Sequence, residues 1–124
     1  HLLAKLQLKE GESLLDIGCG WGCLLITAAK KYKVKGVGIT LSQEQFDEFS
    51  KRIKNEQLED YLTVKLMDYR DLEHSNLQFD KVTILVGLKK VREMHGFENI
   101  SSLVEPFHLY AKSSLCLLTI TSIS

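Results

Sequence analysis

No apolar run in this chain of 124 residues approaches the roughly 20 residues needed to cross a bilayer. Cysteine is scarce: Cys19, Cys23 and Cys116 contain no CxxC pair. A disulfide framework would leave one thiol unpaired, and a zinc site would lack its usual ligand spacing, so no metal is expected and the usage fits a reducing cytoplasm. An excess of either charge is missing too. Lys and Arg number 16 and Asp and Glu number 16, so the chain has no overall field to attract nucleic acid or an anionic membrane surface. Proline occurs once, at Pro106, and neither internal repeats nor low-complexity linkers are present. With no initiator Met and no signal-peptide pattern, the chain is expected to be a piece of a longer protein. What is present, 44% hydrophobic and 26% charged residues, is enough for one domain around one core.

The stretch Leu14-Leu15-Asp16-Ile17-Gly18-Cys19-Gly20-Trp21-Gly22 organises the rest. A short apolar run ends in an acid and three alternate glycines, and then Leu24, Leu25, Ala28, Ala29 and Tyr32 recur at the spacing of one helix face. The pattern predicts strand, tight loop and helix. Glycines there allow positive φ and close approach of a ligand, and the helix offers unpaired N–H groups and the positive end of its dipole. A Gly-rich loop alone is weak support; here it follows a strand, opens a helix of about 22–32 and is trailed by a second strand at 34–40.

Further along, Ser42 and Gln45 form a capping-box pattern: the serine side chain takes the N–H three residues on, and the glutamine reaches back. Phe46, Phe49 and Ile53 give the helix that starts there an apolar stripe. Residues 61–66 read as a third strand, Met67-Asp68-Tyr69-Arg70-Asp71 as the loop after it, and 79–86 as a fourth strand buried on both faces. Residues 98–112 read as a weaker helix interrupted by Pro106, and 115–120 as a fifth strand. Alternating strands and helices imply right-handed crossovers and a parallel sheet in an α/β domain, with a ligand beyond the carboxyl ends of the strands. The last strand would be an open edge that invites a second copy.

A dinucleotide fold would place an Asp or Glu near the end of the second strand to hold ribose hydroxyls; this chain has Thr40 and Leu41. That weakens a nicotinamide-dependent oxidoreductase. The motifs DIGCGWG, GITLSQEQ and MDYRDL, taken together, resemble the S-adenosylmethionine-dependent class I methyltransferases, specifically the cyclopropane-fatty-acyl-phospholipid synthase group, from about Leu6 to Val82. Together with the alternation of elements, the resemblance implies a three-layer, Rossmann-like α/β domain with about five parallel strands in the order 3-2-1-4-5. It also implies S-adenosylmethionine as cofactor and methyl or methylene transfer to an acceptor such as an unsaturated lipid chain. It implies that the glycine loop (Asp16, Gly18, Cys19, Gly20) passes the methionyl part of the cofactor. Thr40, Leu41 and Gln45 would line ribose and adenine, and Asp68 and Tyr69 would hold the adenine. A carboxylate can accept from the adenine amino group, and an aromatic ring can pack on its face. Other readings stand beside these: Asp68 as a cap of its turn, Tyr69 as a partly buried core aromatic, Gln45 as capping box only, and Cys19 as a small packed residue rather than a nucleophile.

Beyond Val82 the family pattern breaks. The family follows its fourth strand with a Gly-Met-x-Glu-His-Val-Gly segment, whose glutamate helps bind a bicarbonate that serves as base. Here Gly87-Leu88-Lys89-Lys90-Val91-Arg92-Glu93-Met94-His95 stands in its place, and a three-residue insertion puts Glu93 on the family's glutamate as candidate catalytic residue. Thr119 stands where the family carries a histidine, and its catalytic cysteine and tyrosine would lie outside this chain. The competing expectation is therefore a truncated or decayed fold that binds the cofactor without turnover.

Overall fold

The computed structural model describes residues 4, 6–74, 78–87 and 116–121. Ala4 and Leu6 are helical, and Leu6 and Leu8 are buried in the core cluster. A turn delivers β1 (Ser13–Ile17), followed by α1 (Cys23–Tyr32), β2 (Lys35–Thr40), α2 (Gln43–Asn55), β3 (Leu62–Leu66) and a 3-10 turn (Tyr69–His74). Two more strands follow, β4 (Lys81–Gly87) and β5 (Cys116–Thr121). All the described strands are parallel, in one sheet ordered β3-β2-β1-β4-β5, as the alternation of elements and the family resemblance led one to expect. The weaker helix expected at 98–112, and with it Glu93, lies outside the described residues.

Each helix forms for a visible reason. In α1, Leu25, Ile26, Ala28 and Ala29 make one buried face, and Lys30 and Lys31 in the last turn suit the negative end of the dipole. The helix stops because Lys33 turns left-handed, φ 55°, and returns its N–H to the Ala29 carbonyl. In α2, Phe49 and Ile53 are buried, and Ser42 Oγ accepts from the Gln45 N–H at 3.2 Å, the cap read from the sequence.

The second half of that capping box is corrected. Thr40 Oγ1, not the Gln45 side chain, accepts the Ser42 N–H at 3.1 Å, and the same hydroxyl donates to Gln45 Oε1 at 3.0 Å. A hydroxyl both donates and accepts, so a buried threonine at the end of β2 can stand between cap and glutamine.

The core lies between the sheet and the two helices: Leu14, Leu25, Ala28, Val34, Phe49, Ile53, Leu58 and Leu62 form one cluster with Leu6 and Leu8. At the far end of β1, Asp80 binds Ser13 twice through one carboxylate oxygen (from N, 2.8 Å; from Oγ, 3.2 Å), and its own N–H goes to Ser13 Oγ at 2.9 Å. That clasp sets the register between β1 and β4 before either strand reaches the site.

Candidate functional site

Three connections meet at the carboxyl end of the sheet, where parallel α/β folds bind their ligands. Ile17 and Gly18 from β1, Ile39, Thr40, Leu41 and Ser42 from β2, and Met67 and Tyr69 after β3 line one cleft of about 310 Å³. That volume is at the low end of the ~300–1,000 Å³ of small-molecule sites and suits a nucleoside-sized group. Leu41, 74% exposed, and Tyr69, 46% exposed, are apolar surfaces left uncovered at its edge. Thus residues from all three motifs come together.

The loop after β1 needs its glycines for two different reasons. Gly18, Gly20 and Gly22 all have positive φ (73°, 59° and 87°). At Gly22 a Cβ would stand 2.3 Å from the Phe49 ring, so this glycine is there for packing against α2. At Gly20 a Cβ would meet nothing within 4 Å, so the space beside it is open. The N–H groups of Gly18 and Cys19 both donate to the Ile39 carbonyl at 3.0 Å, which pins the loop to β2. Gly22, the N-cap of α1, offers no side-chain cap. The first-turn amides of α1 therefore keep the donor character that a helix N-terminus has without a cap.

Cys19, expected among the cofactor contacts, turns its side chain into the core: Sγ lies 2.8 Å from where a Gly38 Cβ would be. Burial, with the neighbouring Asp16 charge, pushes its thiol up to about 12, which makes it a packed residue and not a nucleophile. Its amide donates to the Ile39 carbonyl of β2, and its carbonyl accepts from the Gly22 N–H within the loop.

Asp16 is 6% exposed. Burial pushes its carboxyl from 3.8 up to about 6, against the opposing effect of a hydrogen bond from Thr83 Oγ1 to Oδ1 at 2.7 Å. Thr83 escaped the sequence reading. Its signal was a lone hydroxyl in the otherwise apolar core of β4, opposite Asp16 once the register Asp16↔Thr83 is known.

Asp68 does what its alternative reading said. Its Oδ1 accepts from the Arg70 backbone N–H (2.9 Å) and Nε (3.1 Å), and Oδ2 accepts from Arg70 Nη2 (2.6 Å), so it caps the 3-10 turn. The Arg70 hydrogen bonds hold its carboxyl below the usual carboxylate range. Its neighbours Met67 and Tyr69 line the cleft. Tyr69, half-exposed, is not the core aromatic of its alternative reading. The Thr40 hydroxyl is spent on Ser42 and Gln45, which leaves Gln45 oriented through its carbonyl oxygen. Among the described residues no group of three His, Cys, Asp or Glu side chains is placed to hold a metal ion. Nor is any helix among them long and apolar enough to cross a membrane.

Comparison with known proteins agrees with this geometry. The family model described as mycolic acid cyclopropane synthetase matches residues 1–122. A probable fatty acid methyltransferase of Pseudomonas putida is 48% identical over 88 residues, covering 71% of this chain and 22% of that protein. The cyclopropane-fatty-acyl-phospholipid synthase of Escherichia coli K12 is 46% identical over 85 residues, covering 68% of this chain and 20% of that protein. The chain thus spans about a fifth of the length of the curated relatives it matches. Among solved structures, the cyclopropane synthase MmaA2 from Mycobacterium tuberculosis superposes with a TM-score of 0.73 at 30% identity, covering 99% of this chain and 41% of that one. The mycolic acid cyclopropane synthase CmaA1, in a complex with SAH and CTAB, gives 0.69 at 28% identity, covering 90% of this chain and 37% of that one. With the glycine loop, the serine-capped second helix and the cleft after the third strand in one place, the chain belongs to the mycolic acid cyclopropane synthetase family, the cyclopropane-fatty-acid-synthase group of S-adenosylmethionine-dependent methyltransferases.

Proposed function

We propose that this chain is the cofactor-holding core of an enzyme that transfers a methyl or methylene group from S-adenosylmethionine to unsaturated fatty-acyl chains of phospholipids. The observation that carries the reading is the convergence of DIGCGWG, GITLS and MDY on one cleft. The residues fit such a group. The open space beside Gly20 admits backbone-close contact, and the α1 amides suit the cofactor's carboxylate. The apolar walls of Ile17, Ile39, Leu41, Met67 and Tyr69 suit the faces of adenine. Asp16 supplies a buried negative charge next to a loop that would hold a cationic ligand, and a cation there favours its ionised form. When bound, S-adenosylmethionine supplies an electrophilic methyl group on a positively charged sulfur. The contribution of these residues is to fix and orient it, since transfer in such a site rests on positioning more than on a protein nucleophile. Asp68 would reach adenine only while keeping Arg70, so its contact with the amino group is shared rather than exclusive.

Calorimetric titration of the chain with S-adenosylhomocysteine tests the cofactor half. Binding is expected to stabilise the domain by about 2.7 kcal/mol at a hundredfold excess over Kd, several degrees in a melting scan. No heat and no shift from a folded sample would reject it. The acceptor half needs labelled S-adenosylmethionine with phospholipid vesicles, assayed on the longest protein that contains this chain. One observation favours the binding-only alternative: the sequence Lys89-Lys90-Val91-Arg92 stands where the family has its bicarbonate-binding segment, with Glu93 displaced by three residues. In the transfer assay, binding without product would select that alternative, and Glu93→Gln removing product would support bicarbonate-assisted chemistry.

A further inference from the structure

We infer that Thr83 is a positioning residue of the cofactor site: its hydroxyl holds the Asp16 carboxylate by Oδ1 and leaves Oδ2 for a ligand at the glycine loop. The inference rests on the reading of this cleft as a cofactor site. It starts from register. Asp16 and Thr83 stand opposite each other on β1 and β4, and the Ser13–Asp80 clasp fixes that pairing from the other end of the strands. Thr83 is 1% exposed, so no water competes for its hydroxyl. Two acceptors are in reach of a single proton, Asp16 Oδ1 at 2.7 Å and the Leu15 carbonyl at 3.4 Å. An ionised carboxylate at the shorter distance takes it. Once Asp16 is protonated, its own O–H can donate to Thr83 Oγ1, and the threonine proton is released to Leu15. The pair thus has two hydrogen-bonded states, one for each charge of Asp16. A threonine serves better than a serine because its branched Cβ restricts χ1 and holds the hydroxyl in one direction.

Among the described residues, Asp16 Oδ2 makes no hydrogen bond to the protein, whereas Oδ1 is taken by Thr83. A buried carboxylate oxygen of this kind calls for a partner that arrives with the ligand. The titratable group facing Asp16 from the loop is the Cys19 thiol, neutral across the working range, so pH dependence near neutrality would belong to the Asp16–Thr83 pair.

Thr83→Val, which keeps shape and removes the hydroxyl, and Thr83→Ser, which keeps the hydroxyl, test this. Two readouts are needed: S-adenosylhomocysteine affinity from pH 5 to 8, and the Asp16 carboxyl titration in the ligand-free chain by carbon-detected NMR. The valine variant is expected to stay folded, to bind about tenfold more weakly at pH 7, and to shift both the affinity midpoint and the carboxyl titration upward. The serine variant is expected to remain within about threefold of the parent. Unchanged titration and affinity in the valine variant would overturn the role, as would equal losses in valine and serine variants. If the parent chain binds no S-adenosylhomocysteine, the cofactor reading fails, and an unmoved carboxyl titration would separately remove Thr83 as the group that holds Asp16.

Discussion

Asp16→Asn should make the ligand-free domain more stable at pH 8 while abolishing measurable S-adenosylhomocysteine binding. The carboxyl is raised from 3.8 to about 6 by burial. Its contribution therefore favours folding fully below the unfolded value near 4, fades as pH rises through about 6, and above that leaves a buried charge in the folded state. The shift corresponds to about 3 kcal/mol of folded-state cost when Asp16 is ionised. Asparagine keeps an oxygen for Thr83 but adds an NH₂ that needs an acceptor, which takes back about 1–2 kcal/mol. Urea unfolding from pH 4 to 8 should show the variant about 1–2 kcal/mol more stable at pH 8 and less stable than the parent at pH 4, with the curves crossing in between. Lower stability at every pH would mean that the charge is not held at a cost in the folded chain. Gain of stability with loss of binding is the pattern of a functional group kept against the interest of the fold.

The two glycines of the loop should separate architecture from binding. Gly22→Ala forces a methyl to within 2.3 Å of the Phe49 ring at a φ of 87°. Phe49 is wholly buried, so the ring cannot swing aside. Overpacking and the left-handed backbone together should cost on the order of 3–4 kcal/mol, a large part of the stability of a domain this size. Gly20→Ala, at φ 59° with open space around the new Cβ, should cost about 1 kcal/mol in folding. Its methyl would occupy the room beside the loop and weaken S-adenosylhomocysteine binding at least tenfold. Thermal melts and calorimetry on the two variants check this. A Gly20→Ala chain that binds as tightly as the parent would place the ligand elsewhere.

Periodicity and punctuation in the chain determined the alternation of its described elements. Apolar runs of strand length alternate with helical stripes, Ser42 announces α2, and short crossovers make the strands parallel, while the order 3-2-1-4-5 was expected from the family resemblance that the same motifs carry. Gly18, Thr40, Leu41 and Tyr69, named from the family resemblance, line the cleft because parallel strands bring every strand-to-helix loop to one end, whereas Ile17, Ile39, Ser42 and Met67 were added by the structure. Tertiary structure alone decided what each of those residues does. Gly22 and Gly20 look alike in DIGCGWG, and only the position of Phe49, 27 residues beyond Gly22 on another helix, makes one a packing glycine and the other an opening. Asp68 and Arg70 are two residues apart, yet the 3-10 turn is what wraps the guanidinium onto the carboxylate. Thr83 is a hydroxyl in an apolar strand until β4 pairs with β1 and sets it against Asp16, since hydrogen bonding and desolvation depend on neighbours that only the folded sheet supplies.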